Sequence, residues 1–178
     1  RGDKTLTAAL ENLRRYGNSF GKSDKQRARW WTAGLDFKIK DLRKEPAKTL
    51  WFVGDYASYN PTVTTATQAA ARVFRKAGLD FGLLYDAERN AGNDVRRAGE
   101  EGLFKLLLQK NAMALQKCQF NEIVTTDPHT YNTLKNEYPD FGAKLEVVHH
   151  TDFLLGLLAE HKLRPTKPVM GRVVYHDS

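Results

Sequence analysis

The 178-residue chain has one cysteine, Cys118. That scarcity excludes an internal disulfide, and any zinc or iron–sulfur site built from thiolates of these residues alone. Long apolar runs are missing as well. The most apolar segment, Phe153-Leu-Leu-Gly-Leu-Leu-Ala159, is far shorter than the roughly 20 residues a membrane-spanning helix needs. No hydrophobic leader stands at the start, where Arg1, Asp3 and Lys4 are charged. No G-x-G-x-x-G follows a strand-like run and there is no P-loop. Tight H-x-H and H-E-x-x-H spacings are absent, as are persuasive Ser–His–Asp and Cys–His constellations.

Charge is present in excess of one sign. The net charge is +7, from 28 basic and 21 acidic residues. Such a surface suits nucleic acid, anionic lipid or an acidic protein. No helix-turn-helix, RNA-recognition or zinc-finger pattern accompanies it, so nucleic acid is not expected. The near-absence of cysteine fits a reducing, cytoplasmic setting, with at most peripheral contact on the inner face of a membrane. The chain starts at Arg1 rather than Met and stops at Ser178, which predicts a piece of a longer protein.

Texture divides the chain. Residues 1–48 are basic and read as a helical arm or linker. Leu6, Leu10 and Leu13 give Lys4–Arg15 one apolar face, two glycines then break the pattern, and Lys25–Trp31 is a short helical stretch. The latter mixes Arg27 and Arg29 with Trp30 and Trp31. Either it lies on a membrane or partner surface, or the tryptophans fold back on the sheet.

Residues 49–171 alternate strand and helix. Strands are predicted at Leu50–Val53, Phe81–Tyr85, Ile123–Thr126 and Leu145–His149. Helices are predicted at Val63–Ala77, closed by Gly78, at Val95–Lys117, from Asp127-Pro128 to Tyr138-Pro139, and at Thr151–Lys162. Arg172–Tyr175, within residues 172–178, is predicted as a closing fifth strand. The fold class is therefore α/β: a mostly parallel sheet of four or five strands, helices on both faces, and a basic helical arm.

Ligands of open parallel sheets sit beyond the carboxyl ends of the strands. Asp55, Asp86, Asp127, His149, His150 and Asp177 all fall there, with His129 and Gly92 close by. Such a rim suits a small ligand or acid–base work, and the turn at Gly92 leads into a helix N-terminus where an anion could dock. Simpler readings stand beside these. Asp127 is a helix cap and Asp55 caps the next turn. His149 and His150 are one buried and one exposed ring. Arg96 and Arg97 make salt bridges, and Cys118 is an inert apolar residue. No metal site is expected on the rim.

Four places carry a resemblance: Asp55 in Phe52-Val-Gly-Asp-Tyr56, Asn90-Ala91 before Gly92, Asp127 before Pro128-His129, and Thr130. With cysteine at each, the pattern would read C…CCG…CPHC. The chain resembles the cysteine-rich (CCG) domain of the heterodisulfide reductase B-subunit family and its iron–sulfur oxidoreductase relatives. Arg15–Ser23, Gly78–Leu84, Arg96–Phe104, Ile123–Thr126, Asn132–Pro139 and Val148–His150 extend the likeness over residues 5–178.

The resemblance implies that intact motifs hold a noncubane iron–sulfur cluster. It also implies a ferredoxin-like domain before this chain and a second CCG domain after it, beginning near Val174, with a flavoprotein as a redox partner. In this chain Asp55, Asn90, Ala91, Asp127 and Thr130 are then vestigial cluster positions. Carboxylate, amide and hydroxyl are poor substitutes for thiolate, and Ala91 cannot coordinate at all. Hence no cofactor is expected in this chain and the clusters are expected in the flanking parts. The function implied is scaffolding and partner docking within an electron-transfer oxidoreductase. The alternative is a repurposed enzyme that binds a metal or small anion on the Asp/His rim.

Overall fold

The computed structural model describes residues 3–142 and 145–175. Five strands form one parallel sheet: β1 Lys40–Asp41, β2 Thr49–Phe52, β3 Phe81–Leu83, β4 Glu122–Thr125 and β5 Val147–His149, in the order β1-β3-β2-β4-β5. Eight α-helices accompany them among the described residues: α1 Lys4–Tyr16, α2 Arg29–Thr32, α3 Asp55–Tyr59, α4 Thr64–Lys76, α5 Asn93–Arg97, α6 Glu101–Gln116, α7 Pro128–Asn132 and α8 His150–Ala159.

Alternation along the central strands sends side chains to two cores. Leu50, Phe52 and Ile123 point to one face, with Leu13 of α1 and Leu107 and Leu115 of α6. Trp51, Val53, Val124 and Phe81 point to the other, with Trp31 of α2 and Phe74 of α4. Trp51 meets Trp31 and Phe74 edge-on at 5.5 and 5.2 Å. Burying both faces explains why β2 is apolar rather than alternating.

Two strand expectations need correction. Arg172–Tyr175 forms no strand; Val173, Val174 and Tyr175 are 85–89% exposed. These residues follow a stretch broken by Pro165, Pro168 and Gly171 and pair with no sheet edge. The fifth strand comes instead from within residues 1–48. Lys40–Asp41 pairs with β3, and Leu42 donates its N–H to the Leu83 carbonyl at 3.0 Å. The surrounding Trp31, Ile39, Leu42 and Ala47 are buried, so this segment builds core as well as leading into it. Trp31 folds back fully, while Trp30 stays partly exposed and donates its indole N–H to the Ser58 carbonyl.

The predicted helix from 95 to 117 is two helices. Gly99 at φ +81° ends α5, and Glu100 N–H reaches the Val95 carbonyl at 3.1 Å, the backbone pattern that closes a helix with a left-handed glycine. The last predicted helix starts one residue early, at His150, because His149 caps it through its own ring nitrogen. Among the described residues, no helix is long and apolar enough to cross a membrane.

The topology places one crevice. From β2 the chain leaves to α4 on the Trp51 face, and from β4 it leaves towards Leu134 and Tyr138 on the other. Neighbouring strands whose connections part to opposite faces leave a gap beyond their carboxyl ends, where ligands of open α/β sheets bind.

Candidate functional site

Beyond β2 the chain turns through Gly54, at φ +83°, a conformation that strains any side chain with a Cβ. Asp55 then opens α3. It does not cap the turn, as the sequence suggested. Its Oδ1 accepts from Arg27 at 2.6 Å, and its Oδ2 accepts from the Ser19 backbone N–H at 3.1 Å and the Asn90 amide at 2.6 Å. Arg27 is 2% exposed and also donates to Glu88 at 2.8 Å and to the Gly17 carbonyl at 3.3 Å. Glu88 in turn accepts the backbone N–H groups of Val53 and Gly54 at 2.9 and 3.0 Å.

This is a buried guanidinium between two carboxylates, roofed by the Tyr59 ring at 5.2 Å. Burial works against the Arg27 charge, but Asp55 and Glu88 more than reverse it and hold the guanidinium firmly protonated. Burial pushes Glu88 above the usual carboxylate range, against the pull of Arg27 and two backbone donors. Glu88 is the more deeply desolvated acid of the two, at 2% exposure against 7% for Asp55.

Asn90 and Ala91 are held by a second network. The Asn90 side chain accepts from Gly92 N–H at 2.7 Å while it donates to Asp55. Gly92, at φ +98°, presses on Phe104: a Cβ there would lie 2.7 Å from the ring. Asn111 of α6 accepts from Arg89 N–H at 2.8 Å and donates to the Arg89 and Asn90 carbonyls and the Tyr138 hydroxyl. The Tyr138 hydroxyl donates to the Ala91 carbonyl at 3.0 Å. Its pKa is raised, by burial above all.

Beyond β4, Asp127 is the helix cap the sequence suggested. Its Oδ1 accepts from His129 N–H at 3.0 Å and its Oδ2 accepts from the Thr130 hydroxyl at 2.8 Å. Two of the singled-out positions thus satisfy each other.

Asp55, Asn90, Ala91, Asp127 and Thr130 all line one cavity of about 570 Å3 at the β2–β4 crevice, with His129, His150, Asp94, Phe20 and Tyr56 among the other wall residues. Residues far apart in sequence meet there. The remaining rim candidates do not join them. Asp86 faces another cleft and pairs with Arg43, beside Lys25 and Tyr85. Gly92 is packed under Phe104. His149 caps α8, with Nδ1 2.9 Å from the Thr151 hydroxyl, and its ring lies 4.5 Å from that of His150, tilted by 54°. Both histidines are half-buried, which corrects the expectation of one buried and one exposed ring. Asp177 lies outside the described residues. Among the described residues, no group of three or more His, Cys, Asp or Glu side chains converges as a metal site would require.

Sequence reasoning missed Arg27 and Glu88 as parts of the site, and also Asn111 and Tyr138. Arg27 gave no local signal, because its partners lie 28 and 61 residues away. Asn111 did give one: it shares a helical face with Leu107, Leu108 and Leu115, an odd place for an amide.

The donors around the cavity do not fit an iron–sulfur cluster. Asp55 is committed to Arg27, Asn90 and Ser19; Asn90 to Asp55 and Gly92; Asp127 to a helix N-terminus and Thr130. Ala91 offers a methyl group. Cys118 lies in a separate cleft beside Lys48 and Asp80, its Sγ against the Ala114 carbonyl at 3.2 Å and its thiol pushed up by burial.

Comparison with known proteins supplies the class: the homologues of this chain are iron–sulfur oxidoreductases. The chain is 38% identical to the probable iron–sulfur-binding oxidoreductase FadF of Bacillus subtilis, over 181 residues that cover 99% of the chain and 26% of that protein. It is 34% identical to the EtfAB:quinone oxidoreductase of Syntrophomonas wolfei, covering 96% of the chain and 24% of that protein. Identity to a component of the dihydromethanophenazine:CoB–CoM heterodisulfide reductase of Methanosarcina barkeri is 29%, covering 91% of the chain and 39% of that component. The chain thus spans about a quarter of the length of the first two. No protein-family model matches it, and no solved structure does.

Proposed function

We propose that this chain is a degenerate first CCG domain of an iron–sulfur electron-transfer oxidoreductase. It carries no cluster of its own, and it serves as scaffold and docking platform for the parts that do. The observation that carries this reading is the commitment of Asp55: the carboxylate at the first vestigial position is neutralised internally by Arg27, and its other oxygen takes two further donors. A group so engaged has no role left as a metal ligand.

Homology along nearly the whole chain supports membership of the wider oxidoreductase. The exposed, β-branched run Arg172–Tyr175 has the composition of a buried strand, and we read it as the opening of a second CCG domain. A ferredoxin-like domain precedes the chain in this proposal, and the clusters reside in these flanking parts. A flavoprotein is the proposed electron partner, steered by the net positive charge. The proposed setting is cytoplasmic, at most peripheral on the membrane's inner face.

Iron and acid-labile sulfide analysis tests this. The intact polypeptide is expected to contain both, and the 178-residue chain neither. Stoichiometric iron and sulfide in the chain would reject the proposal.

A second reading, a small-ligand site at the rim, is favoured by one observation: the five vestigial positions enclose a cavity instead of being closed over.

A further inference from the structure

The cavity has two kinds of wall. Phe20, Tyr56, Val63 and Ala70 form an apolar side, and Phe20 and Tyr56 stand 6.3 Å apart, ring to ring. Asp55, Asp94 and Asp127 bring carboxylates from the starts of three separate helices, α3, α5 and α7. Among the described residues neither lysine nor arginine lines it. The guanidinium behind it, Arg27, is buried and shared between Asp55, Glu88 and the Gly17 carbonyl.

The charge balance follows. Asp55, Asp94 and Asp127 line the cavity and Glu88 lies buried behind it, four carboxylates against the single guanidinium of Arg27, which pairs with Asp55 and Glu88. The N-termini of α3, α5, α7 and α8 also open here, but each contributes at most about half a positive charge, so together they do not cancel the excess. Burial, with help from neighbouring His149, pushes His150 below its ordinary value, so this rim residue adds no positive charge near neutral pH. A small anion would meet net repulsion. A cation on an apolar stem would meet carboxylates at one end and aromatic faces at the other. The alanines at 57, 66, 70 and 91 leave the space open where larger side chains would have filled it.

We propose that this cavity binds a small organic cation, an ammonium or guanidinium head held between Asp94 and Asp127 with its apolar stem against Phe20 and Tyr56. The inference rests on the reading that no cluster occupies the site. Either a free amine or a basic side chain from another part of the polypeptide carries this chemistry.

Three probes of one shape separate the charge terms: benzylamine, benzyl alcohol and benzoate, titrated into the 178-residue chain at neutral pH by calorimetry and amide NMR. Benzylamine is expected to bind at least tenfold more tightly than benzoate and to shift the amides of Ser19, Asn90 and Asp127. Asp94→Asn with Asp127→Asn is expected to weaken it at least tenfold while the melting temperature holds, because asparagine caps a helix as well as aspartate. Asp94→Asn alone, at an exposed residue, is the control if the double variant folds poorly, and is expected to weaken binding severalfold. Benzylamine binding in both the chain and the intact polypeptide indicates a free amine. Binding in the chain alone indicates an internal basic side chain. Failure of benzylamine to bind, a preference below tenfold over benzoate, or binding indifferent to the substitutions overturns the inference. Iron in the chain would instead overturn the reading it rests on, so the two failures are distinguishable.

Discussion

Asp55 and Asp127 stand just beyond the ends of the adjacent strands β2 and β4 and line one cavity, yet they serve different ends. Asp55 is buried and paired with Arg27 inside a network reaching from the Gly17 carbonyl to Glu88. Asp127 is half-buried and makes only local bonds, to the helix it starts and to Thr130. The β2 wall is fixed by long-range electrostatics and the β4 wall by local capping. Similar residues at similar places therefore differ in energetic consequence, because a buried charge is expensive to strand whereas a cap has water as a substitute.

The largest expected effect tests the β2 wall. Arg27→Met leaves Asp55 and Glu88 buried without their counter-charge and should lower stability by about 3–5 kcal/mol in urea unfolding. Adding Asp55→Asn and Glu88→Gln should recover most of it. A loss under about 1 kcal/mol would erase the contrast between the walls. Next comes the bridge behind Ala91. Asn111→Ala strips partners from the Arg89 N–H and the Tyr138 hydroxyl and should cost about 1–3 kcal/mol, read from the shift in denaturation midpoint.

The β4 wall should respond less. Asp127→Ala removes a cap worth about 1 kcal/mol, and Asp127→Asn should be nearly silent. Smallest of all is the separate cleft: Asp86→Ala removes a partly exposed pairing with Arg43 and should change stability by less than about 1 kcal/mol. Were this substitution to rival Arg27→Met, exposure would not be what separates the regions.

The ordering of these effects tracks what was legible in the chain. Strands β2, β3 and β4 announced themselves as short apolar runs because the sheet is covered on both faces. The cap at Asp127 was legible because Asp-Pro is a local signal. Strand β1 was not, being two polar residues, Lys40 and Asp41, whose strand character comes only from pairing with β3. Arg172–Tyr175 misled for the opposite reason: it has strand composition but pairs with neither edge of the sheet. Asp55 was placed at the right spot and given the wrong role, since its partner lies 28 residues upstream in a stretch whose charges read as surface. The rim itself was half legible. Strand ends fix which residues lie beyond the sheet, but the switch between β2 and β4 decides which of them meet, and it gathers Asp127, His129 and His150 while leaving Asp86 and His149 out.

Anaerobic reconstitution of the 178-residue chain with ferrous iron and sulfide, followed by desalting and visible absorbance, tests the central claim most directly. The account predicts a colourless protein with no retained iron or sulfide, its fold unchanged. A brown protein that retains both, and loses them when Asp55, Asn90 and Asp127 are substituted by alanine, would contradict it.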